Sequence, residues 1–128
     1  MDQKNTLVNR FFDPPEQSFF LFGPRGTGKS TWMKALFPNA LHLNMLLSTT
    51  REKFRAYPDE LIKEVTALKA PATIIIDEVQ KVPDILAVVH VLIEEKLGHR
   101  FILTGSSARK LKRGGADLLG GRALIKNL

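Results

Sequence analysis

The chain has 128 residues and contains no cysteine. This absence excludes disulfide scaffolds, zinc sites built from thiolates and catalysis by a nucleophilic thiol. Long apolar segments are also lacking: runs such as Phe19–Phe22 and Thr73–Ile76 are much shorter than the roughly 20 residues of a membrane span. Because residues 1–10 hold no apolar signal-peptide core, the sequence predicts a soluble cytoplasmic protein without membrane contact.

Acidic residues are scarce near the end of the chain. The net charge is +6, and residues 105–128 carry six basic side chains against Asp117 alone. Three interpretations stay open: a solvated basic face, a nucleic-acid surface, or a subunit contact that supplies an arginine to a neighbouring nucleotide. No aromatic residue interrupts this segment to stack on bases, which weighs against nucleic acid. Arg122 is the candidate for the subunit contact.

Short apolar strands alternate with helices along the sequence. Strands are predicted at Phe19–Phe22, Leu41–Met45, Ala72–Ile76, Arg100–Thr104 and Ala123–Ile125, and helices at Lys29–Phe37, Thr49–Ala56, from Pro58 to about Leu68, and Pro83–Leu97. Such alternation is typical of a parallel sheet covered by helices on both faces. The length fits one domain of the three-layer α/β class.

A glycine-rich segment joins the first strand to the first helix. Residues 23–30 fit the pattern G-x-x-x-x-G-K-[ST], in which backbone N–H groups and a helix N-terminus surround a polyphosphate. Lys29 is expected to reach the terminal phosphates, and the Ser30 hydroxyl is expected to bind Mg²⁺. The predicted phosphate-binding residues are Gly23, Pro24, Arg25, Gly26, Thr27, Gly28, Lys29, Ser30 and Thr31.

Polar side chains follow two further strands. Asp77 and Glu78 end the third strand, and Thr104 and Ser106 end the fourth. Because ligands of doubly wound sheets bind at the carboxyl ends of strands, we expect Asp77 to hold Mg²⁺ and Glu78 to deprotonate an attacking water. Thr104 or Ser106 would point to the γ-phosphate, although a turn that caps the next helix explains these hydroxyls equally well.

These motifs resemble those of the AAA+ ATPases. The likeness is greatest to a bacterial and archaeal family with an N-terminal AAA-type ATPase domain and a C-terminal domain of unknown function. It rests on residues 23–30, on Ile76–Pro83, on Leu103–Ser107 and on Leu119–Ala123, and it covers about residues 17–126.

The resemblance implies a P-loop fold with a sheet of about five strands in the order 5-1-4-3-2. It also implies ATP and Mg²⁺ as ligands, with Lys29 on the phosphates and Ser30 and Asp77 on the metal. Glu78 would be the catalytic carboxylate. Thr104 or Ser106 matches a sensor position that often holds asparagine, and Arg122 is similar in position to an arginine finger.

Length is where the chain departs from that family, whose members continue for hundreds of residues. We therefore expect residues 1–128 to form one truncated ATPase core without a lid or C-terminal domain, with residues 1–16 preceding the first strand. ATP hydrolysis is the predicted activity. A non-hydrolysing nucleotide switch or assembly module and a small-molecule kinase are the alternatives; a GTPase is disfavoured because the Asn-Lys-x-Asp motif is missing. The scattered histidines His42, His90 and His99 suggest no metal site.

Overall fold

A computed structural model describes residues 18–22, 29–105 and 124–127 of the chain. The strands are β1 (Phe19–Phe22), β2 (Leu41–Asn44), β3 (Thr73–Asp77), β4 (Arg100–Gly105) and β5 (Leu124–Asn127). The helices are α1 (Lys29–Leu36), α2 (Ser48–Ala56), α3 (Glu60–Thr66) and α4 (Ile85–Glu94), and a short 3₁₀ turn spans Val79–Lys81. Among the described residues, no helix is long and apolar enough to cross a membrane.

The five strands form one sheet in which every pairing is parallel. Their order is β2-β3-β4-β1-β5, which confirms the predicted order 5-1-4-3-2. Parallel neighbours require crossover connections, and α1 to α4 supply those between β1 and β4. β1 therefore lies inside the sheet, between two strands from the second half of the chain.

Each face of the sheet carries its own apolar core, because successive strand residues point to opposite sides. One face packs Ile74, Ile76 and Leu103 against buried residues of α2, α3 and α4. The other face packs Leu21, Met33, Ile75 and Ile102 together, with Met33 contributed by α1. This second face, called the α1 face below, carries the predicted ligand site.

Several helix boundaries differ from the predicted ones, and those of α3 and α4 differ most. α3 begins at Glu60 rather than at Pro58, whose carbonyl instead accepts a hydrogen bond from the Leu61 amide. α4 ends at Glu94, short of the predicted Leu97. The chain leaves α4 through Lys96, which takes the left-handed conformation (φ 52°) that usually falls to glycine at this position.

Candidate functional site

The predicted site lies at the carboxyl ends of β3 and β4. Ile76 pairs with Leu103, so the next residues, Asp77 and Thr104, stand opposite each other on neighbouring strands. Both side chains are buried. Burial of a carboxylate is costly unless other groups bind to it, so the contacts of Asp77 decide what this site can do.

The Asp77 carboxylate receives a contact on each of its oxygens. The Thr104 hydroxyl donates a hydrogen bond to Oδ1. The ring nitrogen Nε2 of His42, from β2, lies 3.1 Å from Oδ2. Since an ionised carboxylate only accepts hydrogen bonds, Nε2 is the donor in this pair. Side chains from both neighbouring strands thus bind Asp77.

Glu78 leaves the strand through a sharp turn. Its backbone adopts the left-handed conformation (φ 57°, ψ 51°), which is uncommon for a residue with a side chain and costs about 1 to 2 kcal/mol. The Glu78 amide donates to the Thr104 hydroxyl at 3.0 Å. Its Oε1 accepts a hydrogen bond of 3.1 Å from Gln80 Nε2, in the 3₁₀ turn. The adjacent carboxylates of Asp77 and Glu78 therefore have different hydrogen-bond partners, and each can take a separate role.

His42, Asp77 and Thr104 form a polar row across three strands, and α1 lies over the same face. Ile75 and Ile102, two residues before Asp77 and Thr104, contact Met33 of α1 on this face. α1 begins at Lys29, one helical turn before Met33. The helix that follows the glycine-rich segment therefore packs on the face that bears the polar row.

Of the predicted site residues, the structure brings Asp77, Glu78 and Thr104 together. The remaining predicted residues lie outside the described part of the chain: all of Gly23, Pro24, Arg25, Gly26, Thr27 and Gly28, the side chains of Lys29, Ser30 and Thr31, and both Ser106 and Arg122. Their roles stay predictions.

Two contacts of the site were not foreseen from the sequence. The sequence motifs assign no role to His42, and they include Gln80 without indicating its contact with Glu78. The alternation Leu41-His42-Leu43-Asn44 carried a signal for His42, because it puts both polar residues on one face of a strand whose other face is apolar. Only the register of β2 against β3 reveals which carboxylate the ring meets.

A cavity of about 590 Å³ lies elsewhere, at the amino ends of β3 and β4. Its lining includes Thr73, His99 and Arg100. The His99 ring accepts a hydrogen bond from the Ala72 amide, and Arg100 donates to the Thr73 hydroxyl. These hydrogen bonds join the amino ends of β3 and β4. The cavity therefore lies at the opposite end of the strands from Asp77.

The sheet order, the two helical layers and the carboxylates at the strand ends are those of an AAA-type P-loop domain. The family described as "AAA domain" matches residues 15–128, and the chain belongs to it. Among solved structures, that of C. elegans PCH-2 is similar, with a TM-score of 0.58 and 17% sequence identity. The match covers 97% of this chain but 38% of the PCH-2 chain, and at this identity the likeness concerns the fold alone. A search of curated proteins finds no match.

Proposed function

We propose that this domain binds ATP with Mg²⁺ at the carboxyl edge of the sheet and hydrolyses it to ADP and phosphate. The observation that carries the proposal is the buried pair Asp77 and Glu78 at the end of β3. The Thr104 hydroxyl, on β4, hydrogen-bonds both the Asp77 carboxylate and the Glu78 backbone amide. The family supports nucleotide binding at the P-loop. In the proposal, residues 1–128 act as one AAA-type core.

The donor set fits a magnesium ion. Mg²⁺ prefers oxygen ligands, and the Asp77 carboxylate and the Ser30 hydroxyl are the protein oxygens assigned to it. When bound, the ion would neutralise part of the charge on the phosphate oxygens. Within the described residues no group of three or more acidic or histidine side chains can hold a metal by itself. Mg²⁺ usually keeps several waters and substrate phosphate oxygens as ligands, so one or two protein oxygens are enough.

The segment from Gly23 to Thr31 is assigned to the phosphates. Its glycines let backbone N–H groups approach the phosphate oxygens, and α1 adds the partial positive charge of a helix N-terminus. Lys29 is the first residue of that helix, where its ammonium can balance the charge of the terminal phosphates. These contacts bind the substrate and orient its γ-phosphate.

Glu78 is the proposed general base. The attacking water forms a bond to the γ-phosphorus, the bond from that phosphorus to the ADP oxygen breaks, and the water proton passes to the Glu78 carboxylate. The hydrogen bond from Gln80 and the left-handed turn orient this carboxylate. Arg122, from a neighbouring copy, is proposed to stabilise the charge of the transition state, a contribution of about 10³ to 10⁵ in rate in other systems.

Calorimetric titration with ATP and Mg²⁺ tests binding, and phosphate release tests turnover. We expect Lys29→Ala to lose measurable binding, because it removes the charge nearest the terminal phosphates. Glu78→Gln should bind ATP and release no phosphate. Lys34→Ala, on the exposed surface of the same helix, is the matched control and should behave as the wild type.

Two outcomes would contradict the proposal in different ways. Wild-type affinity in Lys29→Ala would remove the phosphate-binding assignment. Slow turnover that does not depend on protein concentration, and that Arg122→Ala leaves unchanged, would favour the non-hydrolysing switch over an ATPase with a shared site. Phosphate transfer to a small acceptor rather than to water would favour a kinase.

A further inference from the structure

His42, on β2, is a polar residue on the sheet face that also bears Asp77. It pairs in register with Ile75, so it lies on the α1 face, diagonally across from Asp77. Its side chain is 14% exposed and that of Asp77 is 5% exposed. Burial of the imidazole of His42 costs little free energy because its Nε2 donates a hydrogen bond to the Asp77 carboxylate.

The two donors on Asp77 come from opposite sides. Thr104, on β4, binds Oδ1, and His42, on β2, binds Oδ2. The terminal torsion of an aspartate is soft, so a carboxylate held at one oxygen can still rotate about the Cβ–Cγ bond. Donors on both oxygens, each mounted on a different strand, define the plane of the carboxylate.

We propose that His42 is a positioning residue, which fixes the orientation in which Asp77 presents its carboxylate to Mg²⁺ bound with the nucleotide. This inference rests on the proposed function, because it presumes that Asp77 acts on the metal. His42 itself contacts Asp77 and acts on the ion through it. Groups that orient a metal ligand typically change metal affinity by about 10- to 100-fold when they are removed.

The test separates magnesium dependence from nucleotide binding. A fluorescent ATP analogue is titrated into each variant in EDTA and then at increasing Mg²⁺. We expect His42→Leu to raise the magnesium midpoint about tenfold and to leave affinity in EDTA unchanged. His42→Gln keeps an N–H donor at similar reach and should stay within about threefold of the wild type. His90→Leu, the same change at a half-exposed histidine of α4, is the matched control.

The outcomes distinguish this inference from the proposed function. A wild-type magnesium midpoint in folded His42→Leu would overturn the role of His42, and so would an equal loss of affinity in EDTA and in Mg²⁺, which indicates a merely structural effect. If His42→Leu does not fold, His42→Asn takes its place: its shorter amide does not reach the Asp77 carboxylate from β2, so a wild-type magnesium midpoint in this variant would overturn the role. If Asp77→Asn keeps the wild-type midpoint, the magnesium assignment of the proposed function fails instead.

Discussion

Replacing Thr104 with valine removes one hydroxyl and keeps the shape of the side chain. That hydroxyl donates to the Asp77 carboxylate and accepts from the Glu78 amide, inside a fully buried environment. Thr104 therefore connects β4 to the end of β3 and to the left-handed turn that follows. We expect Thr104→Val to destabilise the domain although it introduces no cavity.

The magnitude follows from the two hydrogen bonds. A hydrogen bond to a charged group contributes about 1.5 to 3 kcal/mol and a neutral one about 1 kcal/mol. Burial of an additional methyl group returns about 0.8 kcal/mol. The free energy of unfolding should fall by about 2 to 3 kcal/mol. Thr104→Ser keeps both bonds and loses one methyl group, so it should cost about 1 kcal/mol.

Urea unfolding followed by far-UV circular dichroism measures both variants, with the free energy extrapolated linearly to water. The diagnostic quantity is the difference between valine and serine, because both substitutions act on the same site. If serine destabilises the domain as much as valine, the loss comes from packing and the argument from hydrogen bonds is wrong. A valine variant with the wild-type midpoint would refute it as well.

Three further predictions concern stability and use the same measurement. Phe54 is the buried residue of α2, so Phe54→Ala should cost about 3 to 5 kcal/mol, whereas Tyr57→Ala, at an exposed residue, should change stability by less than about 0.5 kcal/mol. Lys96→Gly should stabilise by about 0.5 to 1 kcal/mol, since glycine accepts the left-handed conformation; Glu95→Gly, in right-handed helical geometry, should destabilise by a similar amount, and the same sign for both would contradict this account. Ser18→Ala should cost about 1 to 2 kcal/mol, because the Ser18 hydroxyl accepts a buried backbone hydrogen bond from β4, and an unchanged midpoint would show that the bond adds nothing.

Most of the fold could be predicted because its signals are local. β1, β3 and β4 are short apolar runs. The parallel direction of the strands follows from their alternation with helices, and their order follows from the family resemblance. The end of α4 could not be predicted in this way. The left-handed residue directly after the helix is Lys96, whose intrinsic preference opposes that conformation, and Gly98 takes a positive φ of 84° only two residues later.

In the candidate site, too, the features encoded in local sequence could be predicted and those that depend on strand pairing could not. Asp77 and Glu78 were predicted because a strand ending in carboxylates after a glycine-rich loop is a sequence pattern. The contact of His42 with Asp77 was missed because it depends on the register between β2 and β3, which no single segment of sequence encodes. Thr104 was predicted to point to the γ-phosphate. Its hydrogen bonds to the Asp77 carboxylate and the Glu78 amide could not be predicted, because they depend on the pairing of β3 with β4.

The interior place of β1 has a consequence for how the protein is made. Ser18, beside β1, bonds to Phe101, 83 positions later, and β1 itself pairs with β4 and β5. During synthesis on the ribosome, the segment Phe19-Phe20-Leu21-Phe22 therefore has no strand to pair with until β4 has been made. At about 5 to 20 residues per second that interval lasts several seconds or more, during which an apolar, strand-forming tetrapeptide is open to chaperones and to other nascent chains.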